Sequence, residues 1–150
     1  MVVDVIIPVY RPEREKLTKL IDWLNKQTVK PSRVFFMQTL VEKNEDEEVL
    51  QMLQKAENVE IVPIEKKDFD HGGTRNKGAA LSKADYMLFM TQDAVPVDAY
   101  LIENLVQAME EEEAATAYGR QLPDDTVGVI EHYTREFNYP AKSYVKSQKD

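Results

Sequence analysis

One acidic residue, Asp93, follows an apolar segment, residues 85–91 (DYMLFMT), that has the pattern of a buried strand. In an open α/β sheet, ligands bind beyond the carboxyl ends of the strands, so this carboxylate stands where a metal ion or a phosphate-bearing ligand would bind. Mg²⁺ and Mn²⁺ prefer oxygen ligands and often keep several waters and substrate phosphates. The alternative is an N-cap or turn aspartate before the helix predicted over residues 97–112.

A second polar group is residues 71–76 (HGGTRN). Glycines let the backbone approach a ligand closely, and the N-terminus of a following helix favours anions. Arg75 or Lys77 would add positive charge there, and Asn76 would hydrogen-bond a base, a ribose or a sugar hydroxyl. The alternative is an ordinary Gly-rich turn with a threonine cap. The glycine spacing matches neither a P-loop nor the Rossmann fingerprint.

A third group, residues 8–12 (PVYRP), follows the first predicted strand and therefore lies at the same end of the sheet. Tyr10 would stack near a base, and Arg11 would reach a phosphate. The alternative is a strand-to-helix turn fixed by two prolines. His132 has no spaced partner of metal-ligand type, which favours a structural or surface histidine.

The elements that must position these groups alternate along the chain. Apolar runs predict strands over residues 2–9, 33–39, 59–64, 85–91 and 115–122. The 3.6-residue periodicity predicts helices over residues 13–27, around 49–53, over 74–83 and 97–112, and a short one around 129–137. Strands that alternate with helices predict right-handed βαβ units, and so an α/β fold with a mainly parallel sheet.

Composition excludes several classes of protein. The 150 residues suffice for one domain with a buried core, and the net charge of −8 disfavours nucleic acid as a partner. The chain has no cysteine, so it has neither disulfides nor thiolate metal sites. No apolar run approaches the roughly 20 residues of a transmembrane helix, and the start, MVVDVIIPVY, lacks the features of a signal peptide. We therefore expect a cytoplasmic protein, with a peripheral position at the inner face of the membrane as an alternative.

The chain resembles the family 2 glycosyltransferases of the GT-A fold, and most of all their bacterial rhamnosyltransferase-like subgroup. Four segments carry the resemblance: VIIPVYRP, HGGTRNKGAALSKADYMLFMTQDAVP, AYGRQLP and FNYP. The central segment is the specific one. The resemblance implies a three-layer α/β/α fold with a mainly parallel sheet, of the Rossmann-like nucleotide-diphospho-sugar transferase type.

The same resemblance implies roles for individual residues. Asp93 matches the last acid of the family's DxD-type motif, which binds the Mn²⁺ or Mg²⁺ that bridges the donor's diphosphate, and Thr91 replaces the motif's first acid. Gln38 and Thr39 stand where the family has an acidic segment that helps to hold the base. The nucleotide-sugar site is thus predicted to comprise Pro8, Tyr10, Arg11, Gln38, Thr39, His71, Gly72, Arg75, Asn76, Thr91 and Gln92, with Asp93 as the metal ligand.

The implied function is an inverting, metal-dependent sugar transfer. The donor would be a dTDP- or UDP-linked sugar, with rhamnose suggested by the subgroup, and the acceptor a cell-surface glycan or a lipid-linked molecule. No residue up to Asp150 matches the family's catalytic base. We therefore expect residues 1–122 to form the nucleotide-sugar-binding core and residues 123–150 to begin a truncated acceptor-side region.

Two other functions are open at this point. The first is a catalytically inactive or truncated glycosyltransferase-like domain that acts as a binding or interaction module, which the missing base favours. The second is a nucleotidyltransferase on a related fold. It is disfavoured because the first loop lacks a Gly-rich run bearing Arg or Lys.

Overall fold

The computed structural model of the chain describes residues 1–123 and 128–147. The chain divides into two compact units, Met1–Glu103 and Asn104–Asp150. The elements are β1 (Val3–Val9), α1 (Arg14–Asn25), β2 (Arg33–Thr39), α2 (Lys43–Leu53), β3 (Val59–Ile64), a 3-10 turn (Lys66–Asp68), α3 (His71–Leu81), β4 (Tyr86–Phe89), α4 (Leu101–Glu111) and α5 (Val129–Asn138). The domain boundary expected after residue 122 stays a prediction.

A four-stranded sheet forms the centre of the first unit, in the order β3-β2-β1-β4. Every pair of neighbours is parallel. β1 lies between two strands and is buried along nearly its whole length, as its near-continuous apolar sequence VDVIIPV requires. The predicted α/β class with a parallel sheet is confirmed.

The direction of the crossovers sets the layers. The chain moves outward from β1 to β2 and β3, then returns through α3 to β4 on the other side of β1. Because parallel crossovers are right-handed, this reversal puts α3 on the opposite face of the sheet from α1 and α2. The contacts agree, since α1 touches α2 while α3 touches β1 and β2.

The core under α3 is built from alternate residues of three strands. Ile6, Phe35, Met37 and Ile64 form a buried cluster, against which Val62, Phe69 and Ala79 pack. Helix α3 approaches this cluster closely at Gly78, where an added Cβ would lie 2.6 Å from Cγ2 of Ile6. Glycine at this position therefore lets α3 lie directly on β1.

Helix α3 begins earlier than predicted, which corrects the expectation of a Gly-rich turn over Gly72 and Gly73. The helix starts at His71 because the side chain of Asp70 caps it and accepts a hydrogen bond from the N–H of Gly73. Both glycines therefore lie in the first turn. Thr74, the helix cap in the alternative interpretation, is instead a buried residue of the helix.

The second unit differs from the prediction in one element. Residues 115–122 form no strand, although α5 confirms the short helix predicted around residues 129–137. Residues 115–122 include few large apolar side chains, and two of these, Tyr118 and Leu122, are exposed. The segment therefore lacks the buried face that stabilises a strand. In the parts of the chain described above, no helix is long and apolar enough to cross a membrane.

Candidate functional site

The carboxyl ends of β1 and β4 meet where the strand order reverses. β1 continues toward β2 on one side, and β4 pairs with it on the other, so the switch point lies between β1 and β4. Open α/β sheets bind ligands in the crevice at such a point. Tyr10 and Arg11 follow β1 there, and a turn from Thr91 to Ala94, closed by a 3.2 Å main-chain hydrogen bond, follows β4.

The two loops of the switch point are joined by Gln92. The N–H of Tyr10 donates to Oε1 of Gln92 at 2.7 Å, and Nε2 of Gln92 donates to the carbonyl oxygen of Tyr10 at 3.0 Å. The guanidinium of Arg11 lies 6.0 Å from the centre of the Tyr10 ring. Tyr10 and Arg11, two of the predicted ligand contacts, therefore follow β1 directly beside the turn that carries Asp93.

A shallow pocket of about 10 Å³ opens between the β1–α1 turn, the end of β2 and α2. It is lined by Val9, Arg11, Pro12, Gln38, Thr39, Val41, Glu45, Asp46 and Val49. Gln38 and Thr39 are buried polar residues. Nε2 of Gln38 donates to the carbonyl of Asp46 at 3.1 Å, whereas Oγ1 of Thr39 has no hydrogen-bond partner among the described residues. The structure thus brings Arg11, from the segment after β1, to Gln38 and Thr39 at the end of β2.

Acidic residues on α2 form part of this pocket, although they are not among the site residues predicted from the sequence. Glu45 pairs with Arg11 at 3.3 Å, and Glu48 pairs with Arg14. The carboxylate of Asp46 accepts from the N–H of Val41 through both oxygens. The sequence feature that could have indicated these residues is the acidic run of residues 45–48, which places four acids in the first turns of the helix that follows β2.

The group predicted at residues 71–76 lies at the N-terminus of α3. Nη1 of Arg75 donates to the carbonyl of His71 at 2.9 Å, and the His71 ring stands edge-on to Phe69 at 5.1 Å. A wider hollow of about 300 Å³ is lined by Pro63, Ile64, Glu65, Asp68, Gly73, Thr74 and Lys77. His71, Gly72, Arg75 and Asn76 remain predicted ligand contacts, as do Pro8, which lies half-buried in β1, and the exposed Thr91.

Asp93 fits one kind of metal site and not another. Its side chain is exposed and makes no hydrogen bond or ion pair with any residue that the structure describes. Residues 1–123 and 128–147 contain no group of three or more acidic, His or Cys side chains that could hold an ion by themselves. The position therefore suits Mg²⁺ or Mn²⁺ that takes its other ligands from water and a bound diphosphate.

Comparisons with known proteins relate the sequence of this chain to one family. Residues 4–149 match the sequence model of glycosyl transferase family 2. The O-antigen chain rhamnosyltransferase RfbN of Salmonella typhimurium is 34% identical over 151 residues, which cover 100% of this chain and 46% of RfbN. The O-antigen chain rhamnosyltransferase WbaN of Salmonella anatum is 27% identical over 97% of this chain and 45% of its own length. The chain thus spans a little under half the length of these relatives.

A solved structure supports the fold. The crystal structure of S. aureus TarS 1–349 superposes with a TM-score of 0.59 over 83% of this chain and 39% of TarS, at 20% identity. At that identity the likeness concerns the fold alone. It agrees with the parallel sheet order and with the GT-A type expected from the sequence.

Proposed function

Because the chain belongs to glycosyl transferase family 2, we propose that it is the donor-binding part of an inverting, metal-dependent glycosyltransferase. One observation carries the proposal. A pocket with buried polar residues opens at the carboxyl ends of β1 and β2, and the turn after β4, on the other side of β1, carries a carboxylate that has no partner among the described residues. A nucleotide that carries a diphosphate needs both features, a recess for its base and a place for a cation beside its phosphates.

The base and ribose would lie against the opening of the pocket between β1, β2 and α2, whose volume of about 10 Å³ is too small to enclose them. Thr39 lines this pocket, and its buried Oγ1 has no hydrogen-bond partner in the described residues. Because buried polar atoms are normally paired, a ligand atom that reached this hydroxyl would find it free to bond. Gln38 presents a carboxamide, which can both donate to and accept from a base. These donors and acceptors suit a dTDP- or UDP-linked sugar, both of which have pyrimidine bases with an imide edge.

Asp93 would hold Mn²⁺ or Mg²⁺. The ion, when bound, would neutralise charge that develops on the departing diphosphate. Arg11, Arg75 and Lys77 supply positive charge near the carboxyl ends of the strands, at the β1–α1 turn and in the first turns of α3. Each is already in a local contact or on a pocket wall, so phosphate binding would draw Arg11 from Glu45 and Arg75 from the carbonyl of His71.

The acceptor and the catalytic base are proposed here on the strength of the longer relatives. A carboxylate base would take the proton of the acceptor hydroxyl as it attacks the anomeric carbon. We assign that base to no residue of this chain, which spans 46% of RfbN. The similarity to RfbN and WbaN, both O-antigen chain rhamnosyltransferases, supports rhamnose as the sugar and a bacterial cell-surface polysaccharide, or its lipid-linked precursor, as the acceptor. For such a reaction we expect the protein in the cytoplasm or at the inner face of the membrane.

Calorimetric titration of the chain tests this proposal. dTDP, UDP and GDP are titrated with and without Mn²⁺ into the wild-type chain, Asp93→Asn and Asp22→Asn, a control on the exposed side of α1. We expect one nucleotide to bind only with Mn²⁺, and at least a tenfold weaker affinity, about 1.4 kcal/mol, in Asp93→Asn alone. An unchanged affinity in Asp93→Asn would remove that residue from the metal site. A folded chain that binds none of the three would refute the donor site.

A further inference from the structure

The main chain of β1 has groups that face β4 at every second residue. The carbonyls of Val2 and Ile6 accept hydrogen bonds from the N–H groups of Tyr86 and Met90, both at 3.1 Å. In a strand this alternation has a period of two, so Pro8 and Tyr10 face the same side. Pro8 has no N–H, and β4 ends at Phe89. The main-chain N–H and carbonyl of Tyr10 therefore point to the side on which β4 lies, but β4 has already ended there and offers them no partner strand.

The carboxamide of Gln92 takes the place of the missing strand at this position. A primary amide carries the same donor and acceptor as a peptide group. Gln92 uses both on one residue, accepting from the N–H of Tyr10 at 2.7 Å and donating to its carbonyl at 3.0 Å. The sheet is thus extended by a side chain across the switch point, between residues that lie 82 apart in sequence.

The peptide that Gln92 holds leads into a strained residue. Arg11 has φ of 40°, in the left-handed region that residues with a side chain rarely adopt. Such a conformation persists only where the surroundings impose it. The carbonyl of Tyr10 belongs to the Tyr10–Arg11 peptide, and the φ rotation of Arg11 takes place next to that peptide. The hydrogen bond from Nε2 therefore fixes the plane from which the Arg11 side chain departs.

We propose that Gln92 is a positioning residue and not a ligand contact. It holds the turn that carries Tyr10 and Arg11 at a fixed place beside the turn that carries Asp93. Both polar ends of its carboxamide are in use, which leaves it little to offer a nucleotide. The consequence for binding rests on the proposed function, whereas the structural role of Gln92 does not.

Amide hydrogen exchange tests the structural role without any ligand. Gln92→Ala is compared with Gln51→Ala, a substitution of the same kind at an exposed position of α2. We expect the Tyr10 amide to exchange about tenfold faster in Gln92→Ala, the effect of losing about one neutral hydrogen bond, with the Val5 amide unchanged. Gln51→Ala should leave both amides as in the wild type. Equal exchange at Tyr10 in the two variants would overturn the proposal.

A double-mutant cycle on nucleotide affinity tests the consequence. Gln92→Ala and Arg11→Ala are each expected to weaken Mn²⁺-dependent binding, and the double variant to lose clearly less than the product of the two losses, because Gln92 acts through the turn. Losses that multiply would show that Gln92 contacts the nucleotide itself and would overturn the positioning role. If the wild-type chain binds no nucleotide, the proposed function fails, and the exchange experiment still decides the role of Gln92.

Discussion

Helix α3 lies so close to β1 that Gly78→Ala should disturb the centre of the fold. A Cβ at this position would lie 2.6 Å from Cγ2 of Ile6 and 3.3 Å from Sδ of Met37. Both neighbours are fully buried and belong to the cluster that α3 covers. Contacts between carbon atoms are near 3.5–4.0 Å, so the helix or the strand must move by about 1 Å.

Two effects of opposite sign decide the magnitude. Overpacking of a well-packed core costs about 1–3 kcal/mol. Alanine in a helix interior is better than glycine by about 0.8–1.0 kcal/mol, which offsets part of that cost. We therefore expect Gly78→Ala to lower the free energy of unfolding by about 1 kcal/mol, with a range of about 0–2 kcal/mol.

Gly72→Ala is the matched control in the same helix. Its Cβ would meet only Oδ2 of Asp70, at 3.6 Å, which is an ordinary contact. The helix-propensity gain then stands alone, and this variant should be more stable than the wild type by about 0.5 kcal/mol, less than the interior value because the residue lies in the first turn. The same chemical change thus has opposite signs at two positions six residues apart.

Urea unfolding of both variants measures the two free energies. A third variant, Ile6→Ala, removes the atom with which the new methyl group collides. In that background Gly78→Ala should no longer destabilise, so the two changes should be strongly non-additive. If Gly78→Ala were as stabilising as Gly72→Ala, the close approach of α3 to β1 would not exist as described, and the packing argument would be refuted.

Three further substitutions have expected outcomes. Asp70→Ala removes the cap on the Gly73 N–H and should cost about 1 kcal/mol of unfolding free energy by urea titration, most of it restored by Asp70→Asn. Asp4 is fully buried and accepts from Arg33 at 2.9 Å and Ser82 at 2.7 Å, so Asp4→Asn should cost about 2 kcal/mol in the same assay, against less than about 0.5 kcal/mol for Asp22→Asn. Glu45→Gln breaks an exposed ion pair with Arg11, so stability should change by less than about 0.5 kcal/mol while calorimetry shows tighter nucleotide binding. Weaker binding would mean that Arg11 does not serve the phosphates.

The buried strands were predictable because burial imposes a simple pattern. β2 and β3 have the predicted limits, residues 33–39 and 59–64, and β1 differs from its prediction by one residue. A strand covered on both faces needs a continuous apolar run, and few other elements of this length have one. The fourth strand is shorter than predicted, Tyr86–Phe89 in place of residues 85–91, because the chain turns at Thr91 to form the switch-point loop.

The errors lie where local and tertiary effects oppose each other. Glycine is a poor helix former, so Gly72 and Gly73 predicted a turn. The Asp70 cap and the packing of α3 on β1 outweigh that preference, and the helix includes them. The sequence does contain a helix-start feature, the N-cap residue Asp70 three residues before Gly73, but the two glycines favoured a turn over a helix in the prediction. Residues 115–122 show the converse case, because a strand-like pattern without a buried face does not form a strand.

Sequence patterns place polar residues at the switch point, but they do not show which of these residues remain free for a ligand. That depends on partners distant in sequence, such as Gln92 and Tyr10. Saturated groups hold the site together, whereas unpaired ones are available for binding. By this criterion, the exposed carboxylate of Asp93, unpaired within the described residues, is the strongest candidate for a ligand contact. The hydroxyl of Thr39 is unpaired there too, but it is buried, as are the unpaired Oδ1 of Asp4 and Oγ1 of Thr74. Arg75 must first leave the carbonyl of His71, which makes its contribution conditional on a rearrangement.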